Sequence, residues 1–226
     1  MIIAVDGPAG AGKSTASRLL AKKLGFLYID TGAMYRALTL KAIRKNLDVN
    51  DAACIIAMAR NTLVDLKNEH DGAVKVLLDN NDVTSLIRQP GITQLVSDIA
   101  RIKEVREVML EVQRRLGRDR DSVLDGRDIG TVVFPDADKK FYIDADSDER
   151  VRRRYKELKE SGQDISLKDV QADLRNRDTI DSTRECAPLK KAEDAIYVDT
   201  TKMSIEKVVD TLLGYIQGPE AQIENG

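Results

Sequence analysis

Short apolar runs alternate with longer stretches in which apolar residues recur at helical spacing along most of the chain. The apolar runs predict five core strands, at 2–5, 26–29, 122–124, 140–143 and 195–198. The periodic stretches predict helices at 16–24, 31–45, 51–60, 92–100, 102–116, 147–160, from 166 to 177 or beyond, and 204–216. Strands that alternate with helices favour a parallel sheet. We therefore expect a three-layer α/β fold, with a five-stranded parallel sheet and helices on both of its faces.

One part of the chain departs from this alternation. Residues 62–67 and 74–78 have the pattern of strands joined by a turn that contains glycine, and residues 80–82 give another turn signal. This β-rich patch predicts a small lobe inserted between helices. At the helix ends, we expect Thr31, Ser147 and Ser166 to act as N-terminal caps, and Gly117 to end the helix that precedes it.

Composition limits the classes of function. The chain has 226 residues, of which 42% are hydrophobic and 33% charged, and its net charge is −2. This balance argues against a nucleic-acid or membrane binder, because such proteins carry a basic excess. Cys54 and Cys186 lack the spacing of metal ligands, and Cys54 lies in an apolar helical stretch that predicts a core position. The single histidine, His70, lies in a polar turn, where we expect neither catalysis nor metal binding.

The chain carries no sign of export or membrane insertion. Its apolar start is only a few residues long, and no other segment approaches the length of a membrane span. We therefore expect a soluble, cytoplasmic protein, with a monomer as the default state. Residues 218–226 hold turn formers and charges without an apolar period, which predicts a disordered tail.

A phosphate-binding loop follows directly after the first apolar run. Its residues are Gly7, Pro8, Ala9, Gly10, Ala11, Gly12, Lys13, Ser14 and Thr15, which match the pattern G-x-x-x-x-G-K-[ST] between a strand and a helix. Glycines let the backbone bend around a phosphate, and the start of the following helix attracts the anion. In this pattern Lys13 reaches the β- and γ-phosphates and the Ser14 hydroxyl binds Mg²⁺. A glycine-rich turn that matches by accident is disfavoured by the strand before it and the helix after it.

Polar clusters also follow the second and third core strands, at the edge where parallel sheets bind ligands. Residues 30–36 carry a hydroxyl, an aromatic ring and an arginine, and residues 125–128 carry two carboxylates and an arginine around a glycine. Arginine suits a phosphorylated acceptor because its planar fork can bond two oxygens. A capped surface helix is the structural alternative for the first cluster, and an internal Arg–Asp pair for the second.

Two predicted helices carry further candidate residues. Arg177, Asp181 and Arg184 are spaced by four and three residues, so they share one face if the helix continues through them. Three apolar residues precede them on that face, namely Leu167, Val170 and Leu174. This stripe favours a helix that passes from the core to a charged cavity, with a surface ion pair as the alternative. Arg106 borders the apolar stripe of 102–116 and can reach sideways into a cleft or lie along the surface.

Together these segments resemble the bacterial cytidylate kinases over nearly the whole chain, from residue 2 to about residue 215. The resemblance rests on the motifs at 7–15, 30–36 (DTGAMYR), 125–135 (DGRDIGTVVFP) and 177–184 (RDTIDSTR). The first motif is shared by many kinases, whereas the other three in this order are specific to the family. The resemblance implies a P-loop NTPase fold with one nucleoside monophosphate kinase domain over 1–217. Within it, an insert at about 62–90 would bind the monophosphate, and a helical lid at about 148–165 would move.

The resemblance also implies roles for individual residues. Cytosine would be recognised by Ser97, Arg106 and Asp128. The ribose would be held by Tyr35, Arg177 and Asp181, and the acceptor phosphate by Arg36, Arg127 and Arg184. Thr31 and Asp125 would also belong to the acceptor site. The residues that neutralise the phosphates during transfer would be Lys13, Arg36, Arg127, Arg184 and, from the basic lid segment 152–154, Arg153.

The implied reaction is the phosphorylation of CMP and dCMP by ATP, with Mg²⁺ as cofactor and without a nucleic-acid or membrane partner. A phosphate monoester has a second pKa of about 6, so the acceptor is already a nucleophile at pH 7 and needs no general base. Kinases for UMP, AMP or a hydroxylated metabolite stay open as alternatives, as does a nucleotide-dependent regulatory switch. The motifs Asn-Lys-x-Asp and Asp-x-x-Gly of GTP switches do not occur in the sequence. The role of Asp6 and the preference between CMP and dCMP are left open.

Overall fold

A five-stranded parallel sheet forms the centre of the computed structural model, which describes residues 1–69 and 73–218. The strands are Ile2–Asp6 (β1), Leu27–Asp30 (β2), Val64–Asn68 (β3), Val74–Leu78 (β4), Asn81–Asp82 (β5), Ser122–Asp125 (β6), Lys139–Asp144 (β7) and Ile196–Asp199 (β8). The helices are Lys13–Leu24 (α1), Thr31–Arg44 (α2), Ala52–Arg60 (α3), Pro90–Ala100 (α4), Lys103–Arg118 (α5), Ser147–Glu160 (α6), Leu167–Thr183 (α7) and Ile205–Gln217 (α8). The strand order in the large sheet is β2-β6-β1-β7-β8, and every neighbouring pair is parallel. The predicted α/β core is confirmed.

Helices cover both faces of this sheet because alternate residues of each strand point to opposite sides. On one face, Ile3 and Val5 pack with Leu20 of α1 and Leu212 of α8. On the other face, Ala4 belongs to a larger apolar cluster that includes buried residues of α2, α3, α4 and α5. Strands that are buried on both faces have nearly continuous apolar runs, which is why the sequence pattern located them.

The carboxyl ends of β1, β2 and β6 lie side by side. Val5 and Asp30 are both register partners of Asp125, so the three loops that follow these strands start next to one another. The three polar clusters therefore share one edge of the sheet, as the sequence predicts.

The β-rich patch forms a separate antiparallel sheet with the order β3-β4-β5. The turn between β4 and β5 is centred on Asp79 and Asn80, which have φ values of 48° and 66°. The two residues of β5 pair with β4, so the prediction of a turn over 80–82 missed a short third strand. Val76 and Leu78 of this sheet belong to the same apolar cluster as α2, so the patch shares the main core.

Two of the three predicted N-terminal caps are wrong. The cap of α2 is Asp30 rather than Thr31, and the cap of α6 is Asp146 rather than Ser147. In both cases an aspartate one residue earlier accepts a backbone N–H from the first turn. Ser166 caps α7 as predicted and forms a reciprocal capping box.

Three further positions differ from expectation. Cys54 is exposed rather than buried, because α3 turns Ile55 toward the core instead. Leu167, the first residue of α7, is 52% exposed and does not join the buried stripe. Gly117 lies inside α5 and does not end it, since the helix continues for one more residue. A Cβ atom at position 117 would lie 2.8 Å from the ring of Phe134. Glycine is therefore needed for the close approach of this ring and not for a turn at the end of the helix.

Some predictions fall on residues that the structure does not describe. They concern His70 and the predicted tail beyond residue 218. Within 1–69 and 73–218, the structure contains no helix with both the length and the apolar character needed to cross a membrane.

Candidate active site

A cavity of about 920 Å³ opens at the carboxyl edge of the five-stranded sheet. Apart from Gly7 and Pro8, every residue that the sequence predicts for the site lines it. Eleven basic and six acidic residues lie in its wall. This excess of positive charge suits a ligand with several phosphates.

The loop between β1 and α1 forms one end of the cavity. Gly7 has a φ of 143°, and a Cβ atom there would lie 1.9 Å from the Ile143 carbonyl oxygen, so only glycine fits. Lys13, the first residue of α1, is 5% exposed, and its Nζ donates to the Pro8 carbonyl at 2.5 Å. Burial, and then the charge of Arg127, hold the pKa of Lys13 well below its usual value. A bound phosphate would supply the anion that this ammonium group lacks.

A hydrogen-bonded network around Asp125 lies beside this loop. Ser14 Oγ donates to Asp125 Oδ2 at 2.6 Å, and the Tyr28 hydroxyl donates to Oδ1 at 2.8 Å. The Thr31 hydroxyl donates to the Asp125 carbonyl at 2.7 Å. Burial, together with the nearby charge of Asp30, raises the pKa of Asp125. Its carboxylate thus faces the start of α1, at the donor end of the cavity.

The oxygen atoms of this network fit a Mg²⁺ ion that arrives with a nucleotide. Ser14 Oγ and the carboxylates of Asp125 and Asp30 are hard oxygen ligands, the kind that Mg²⁺ takes. A cation would also relieve the repulsion between the two carboxylates. No group of three or more His, Cys, Asp or Glu residues in the described part of the chain could hold a metal alone. Phosphate oxygens and water would therefore complete the coordination.

Asp128, which also lines the cavity, is held between two arginines. Arg106 Nη2 donates to Asp128 Oδ2 at 2.5 Å, and Arg184 Nη2 approaches Oδ1 at 3.4 Å. All three side chains are less than one tenth exposed. Arg106 lies over the ring of Tyr35, 5.6 Å from the centroid, and also donates to the Ala100 carbonyl. The Asp128 carboxylate is therefore fixed in orientation and shielded from solvent.

α7 carries its predicted polar face into the same cavity. Asp181 accepts a hydrogen bond from Arg127 Nε at 2.8 Å and lies 3.4 Å from Arg184 Nη1. Burial raises the pKa of Asp181, but these two guanidinium groups outweigh it and bring the pKa below its usual value. Arg177 is less well paired: it lies 3.9 Å from Asp173, and its buried Nε has no hydrogen-bond partner among the described residues. Burial, then Arg127, lower its pKa to about 10.

Two more residues that were predicted for the acceptor site line the cavity, one from α2 and one from α4. Arg36 donates through Nη2 to Asp30 at 2.9 Å, whereas its buried Nε has no partner within the described chain. Ser97 on α4 is 7% exposed. The structure thus brings all of the predicted acceptor residues to one cavity.

The predicted lid helix, α6, contacts the phosphate-binding loop. Arg150 donates to the Ala9 carbonyl at 3.1 Å and to Asp178 of α7 at 2.6 Å. The apolar contact between α6 and α7 is small. Its buried members are Ala9, Val151, Leu158, Val170 and Leu174.

The three arginines of segment 152–154 have different surroundings. Arg153 donates from Nε to Glu149 and from both terminal nitrogens to Thr200, so each of its three nitrogens has a partner. Arg152 is 70% exposed and pairs with Glu149. Arg154 pairs with Glu157 and keeps a buried Nε without a partner in the part of the chain that is described. Arg153 thus ties α6 to the loop after β8, and Arg154 faces the cavity with unused donor capacity.

Sequence reasoning missed three residues that shape the site. Tyr28 holds Asp125 but lies within an apolar run, which hid it. Gln113 is buried near Tyr35, whose pKa burial raises to about 12. A polar residue in the buried stripe of α5 was a usable signal for Gln113. Thr200 is 1% exposed and donates to the Ala11 carbonyl at 3.1 Å. Its position directly after a core strand was a signal too.

Comparisons with known proteins agree with this geometry. The family model described as cytidylate kinase matches residues 3–218. A cytidylate kinase of Caldicellulosiruptor saccharolyticus is 48% identical over 211 residues, covering 93% of each chain. A cytidylate kinase of Clostridioides difficile is 49% identical over 216 residues, covering 96% of this chain and 98% of the relative.

Among solved structures, an uncharacterised protein from Eubacterium ventriosum aligns over 96% of this chain and 99% of its own, with a TM-score of 0.53 and 12% identity. At that identity the likeness concerns the fold alone. The family match and the two relatives extend over nearly the whole chain, and the family match includes every segment that lines the cavity. The chain belongs to the cytidylate kinase family.

Proposed function

We propose that this protein transfers the γ-phosphoryl group of ATP to CMP and dCMP, producing ADP and CDP or dCDP. The observation that carries this proposal is the position of Asp128, which Arg106 and Arg184 hold in the wall of the same cavity that the phosphate-binding loop lines. The full-length relatives named as cytidylate kinases support it.

At the donor end, the loop 7–15 wraps the ATP phosphates and Lys13 neutralises them. Ser14 and Asp125, within the network that Tyr28 completes, would hold the Mg²⁺ ion. When bound, Mg²⁺ draws negative charge from the phosphate oxygens.

At the acceptor end, Asp128 distinguishes cytosine from uracil. A carboxylate can only accept hydrogen bonds, and the 4-amino group of cytosine donates them. Uracil presents an oxygen at the same position, so Asp128 would repel it. Ser97 and Arg106 complete the recognition of the base.

The remaining arginines bind the acceptor's phosphate and sugar. Arg36, Arg127 and Arg184 surround the acceptor phosphate, while Tyr35, Arg177 and Asp181 hold the ribose. Arg36 and Arg177 each carry an unpartnered buried Nε, judged over the described residues, which an anionic substrate would satisfy.

Catalysis consists of alignment and charge neutralisation, because phosphoryl transfer passes through a loose and highly charged transition state. The acceptor dianion attacks without a general base. Water must be kept out, since it would otherwise take the phosphoryl group, and we assign this task to the lid at about 148–165. Both Arg153 and Arg154 line the cavity, but Arg153 is held by Thr200, whereas Arg154 keeps a buried Nε without a partner among the described residues.

The proposal includes a monophosphate-binding insert at about 62–90, a cytoplasmic location, a monomeric state and no nucleic-acid or membrane partner. Residues of the insert line the cavity beside α4. Light scattering coupled to size-exclusion chromatography measures the oligomeric state.

The test is ADP production from Mg-ATP with CMP, dCMP, UMP, AMP or GMP, beside a control without acceptor. We expect strong turnover with CMP and dCMP, weak turnover with UMP, and little with the purine nucleotides. Preferred turnover of another nucleotide would replace the acceptor assignment, and ADP release without any acceptor would indicate an ATPase.

A further inference from the structure

We propose that Asp6 is a positioning residue, which fixes the loop that presents Arg127 and Asp128 to the acceptor nucleotide. This inference rests on the proposed function and extends it to a side chain outside the cavity.

Both oxygens of Asp6 bind the backbone just beyond this loop. Asp6 ends β1 and is 4% exposed. Its Oδ1 accepts the N–H of Ile129 at 2.8 Å, and its Oδ2 accepts the N–H of Gly130 at 2.8 Å. These two N–H groups open the single π-helical turn Ile129–Val133. One carboxylate therefore anchors the distal end of the loop.

The proximal end of the loop is anchored one residue earlier in β1. Gly126 N–H donates to the Val5 carbonyl at 3.0 Å. Two successive residues of β1 thus clamp the chain on either side of Arg127 and Asp128. A shift at either clamp would move both side chains relative to α5 and α7, on which their partners lie.

Asp6 does not act on a substrate directly. It does not belong to the wall of the cavity, and both of its oxygens face backbone N–H groups. The sequence left open whether Asp6 binds Mg²⁺, and this geometry instead assigns it to the acceptor loop. Burial raises the pKa of Asp6 to about 6, partly offset by its two backbone hydrogen bonds, so the protein keeps a buried carboxylate at an energetic cost.

The clamp requires two acceptors, which explains why a carboxylate suits the position. In Asp6→Asn, the amide offers one oxygen and one NH₂ group. One of the two backbone N–H groups then faces another donor and loses its partner. We expect the loop to loosen there, and with it the placement of Asp128.

The experiment compares Asp6→Asn with Asp138→Asn. Asp138 also accepts a backbone N–H of β1, from Ile2 at 2.6 Å, but it is exposed and outside the cavity wall. Asp6→Glu is the second variant, because it keeps the negative charge near Lys13 while displacing the oxygens. For each protein we measure KM for CMP and for ATP, kcat/KM with CMP and UMP, ADP affinity by calorimetry, and the melting temperature.

We expect Asp6→Asn to raise KM for CMP by about tenfold and to lower the CMP:UMP ratio of kcat/KM by about the same factor. Asp6→Glu should show the same loss on the acceptor side with ADP affinity within about twofold of wild type. Asp138→Asn should resemble wild type. If Asp6→Asn does not fold, the Glu variant decides the question.

An unchanged CMP:UMP ratio in the Asp6 variants would overturn the inference, even if their stability fell, because a purely structural role moves the melting temperature alone. Equal losses toward ATP and CMP would also overturn it. Failure of the wild-type protein to use CMP would instead overturn the proposed function.

Discussion

Replacing Asp128 with asparagine tests how the protein selects its base. The change removes one negative charge and substitutes an NH₂ group for one oxygen, with almost no change in volume. An amide can donate to the 4-oxygen of uracil, which the carboxylate cannot do. We therefore expect Asp128→Asn to weaken the use of CMP and to improve the relative use of UMP.

The size of the effect follows from the burial of the site. The side chains of Arg106 and Asp128 are 8% and 9% exposed, so solvent screens their interactions little. A hydrogen bond that involves a charged group in such a setting contributes about 1.5–3 kcal/mol. Since about 1.4 kcal/mol corresponds to tenfold, kcat/KM for CMP should fall by about 10- to 150-fold.

The assay is steady-state ADP formation over a range of CMP and UMP concentrations at saturating Mg-ATP. Asp136→Asn is the matched control, because Asp136 is an exposed aspartate that directly follows the same sequence motif. KM for ATP should stay within about twofold of wild type in both variants, since Asp128 lies at the acceptor end. The melting temperature must be followed as well, because the change weakens a buried ion pair.

A CMP:UMP ratio that stayed within about twofold of wild type would refute the assignment of Asp128 to the base. An equal rise in the KM values for ATP and CMP would show that the variant acts through general destabilisation instead.

Four further predictions concern the donor end and the lid. Tyr28→Phe should raise the Mg²⁺ concentration for half-maximal rate several-fold, with KM for CMP unchanged, in a Mg²⁺ titration at fixed ATP. Arg154→Met should lower kcat by about 100-fold, more than Arg153→Met does, while both retain ADP binding by calorimetry. Hydrogen bonds from Arg152, and the nearby Arg153, lower the pKa of Glu149 to about 2. Its stabilising effect is therefore present above pH 4.5 and lost toward pH 2, so the melting temperatures of wild type and Glu149→Gln should differ at pH 7 and converge near pH 2. Amide exchange in α6 should slow when an ATP analogue binds, and equal exchange would contradict a mobile lid.

Much of the fold could be predicted because its signals are local. The core strands are short apolar runs such as 2–5, and each is followed by a turn or a helix signal. The phosphate-binding loop needs glycines at fixed spacing, and its strand and helix are adjacent in sequence. The polar clusters at 30–36 and 125–128 were found because parallel strands place the loops that follow them at one edge. The roles of the acceptor residues on the helices came instead from the resemblance to a known family.

What the sequence did not predict depends on partners distant along the chain. Thr31 has the residue type of a helix cap, but its hydroxyl instead bonds the Asp125 carbonyl, 94 residues away. Tyr28 has an apolar ring that fits a strand, and its role arises only where its hydroxyl meets Asp125 of the neighbouring strand. Gly117 has the residue type of a helix end but serves the contact with Phe134. Local propensity cannot show which distant group a side chain will contact.

The group that reads the base and the arginines that would bind phosphate differ in how their charges are paired, and this difference implies an order of events. Asp128 is held by two arginines, so the base-reading group is in place before substrate binds. Arg36, Arg154 and Arg177 approach the cavity from three different helices, and each forms an ion pair with a single carboxylate. Each of them, like Arg106, also has a buried Nε without a partner among residues 1–69 and 73–218. Phosphate oxygens would provide the missing acceptors and draw α2, α6 and α7 together. Because α6 and α7 share only a small apolar cluster, closure over the phosphates must derive most of its free energy from the nucleotides themselves. The site would therefore exclude water only once both substrates are present, which is the condition under which phosphoryl transfer outcompetes hydrolysis.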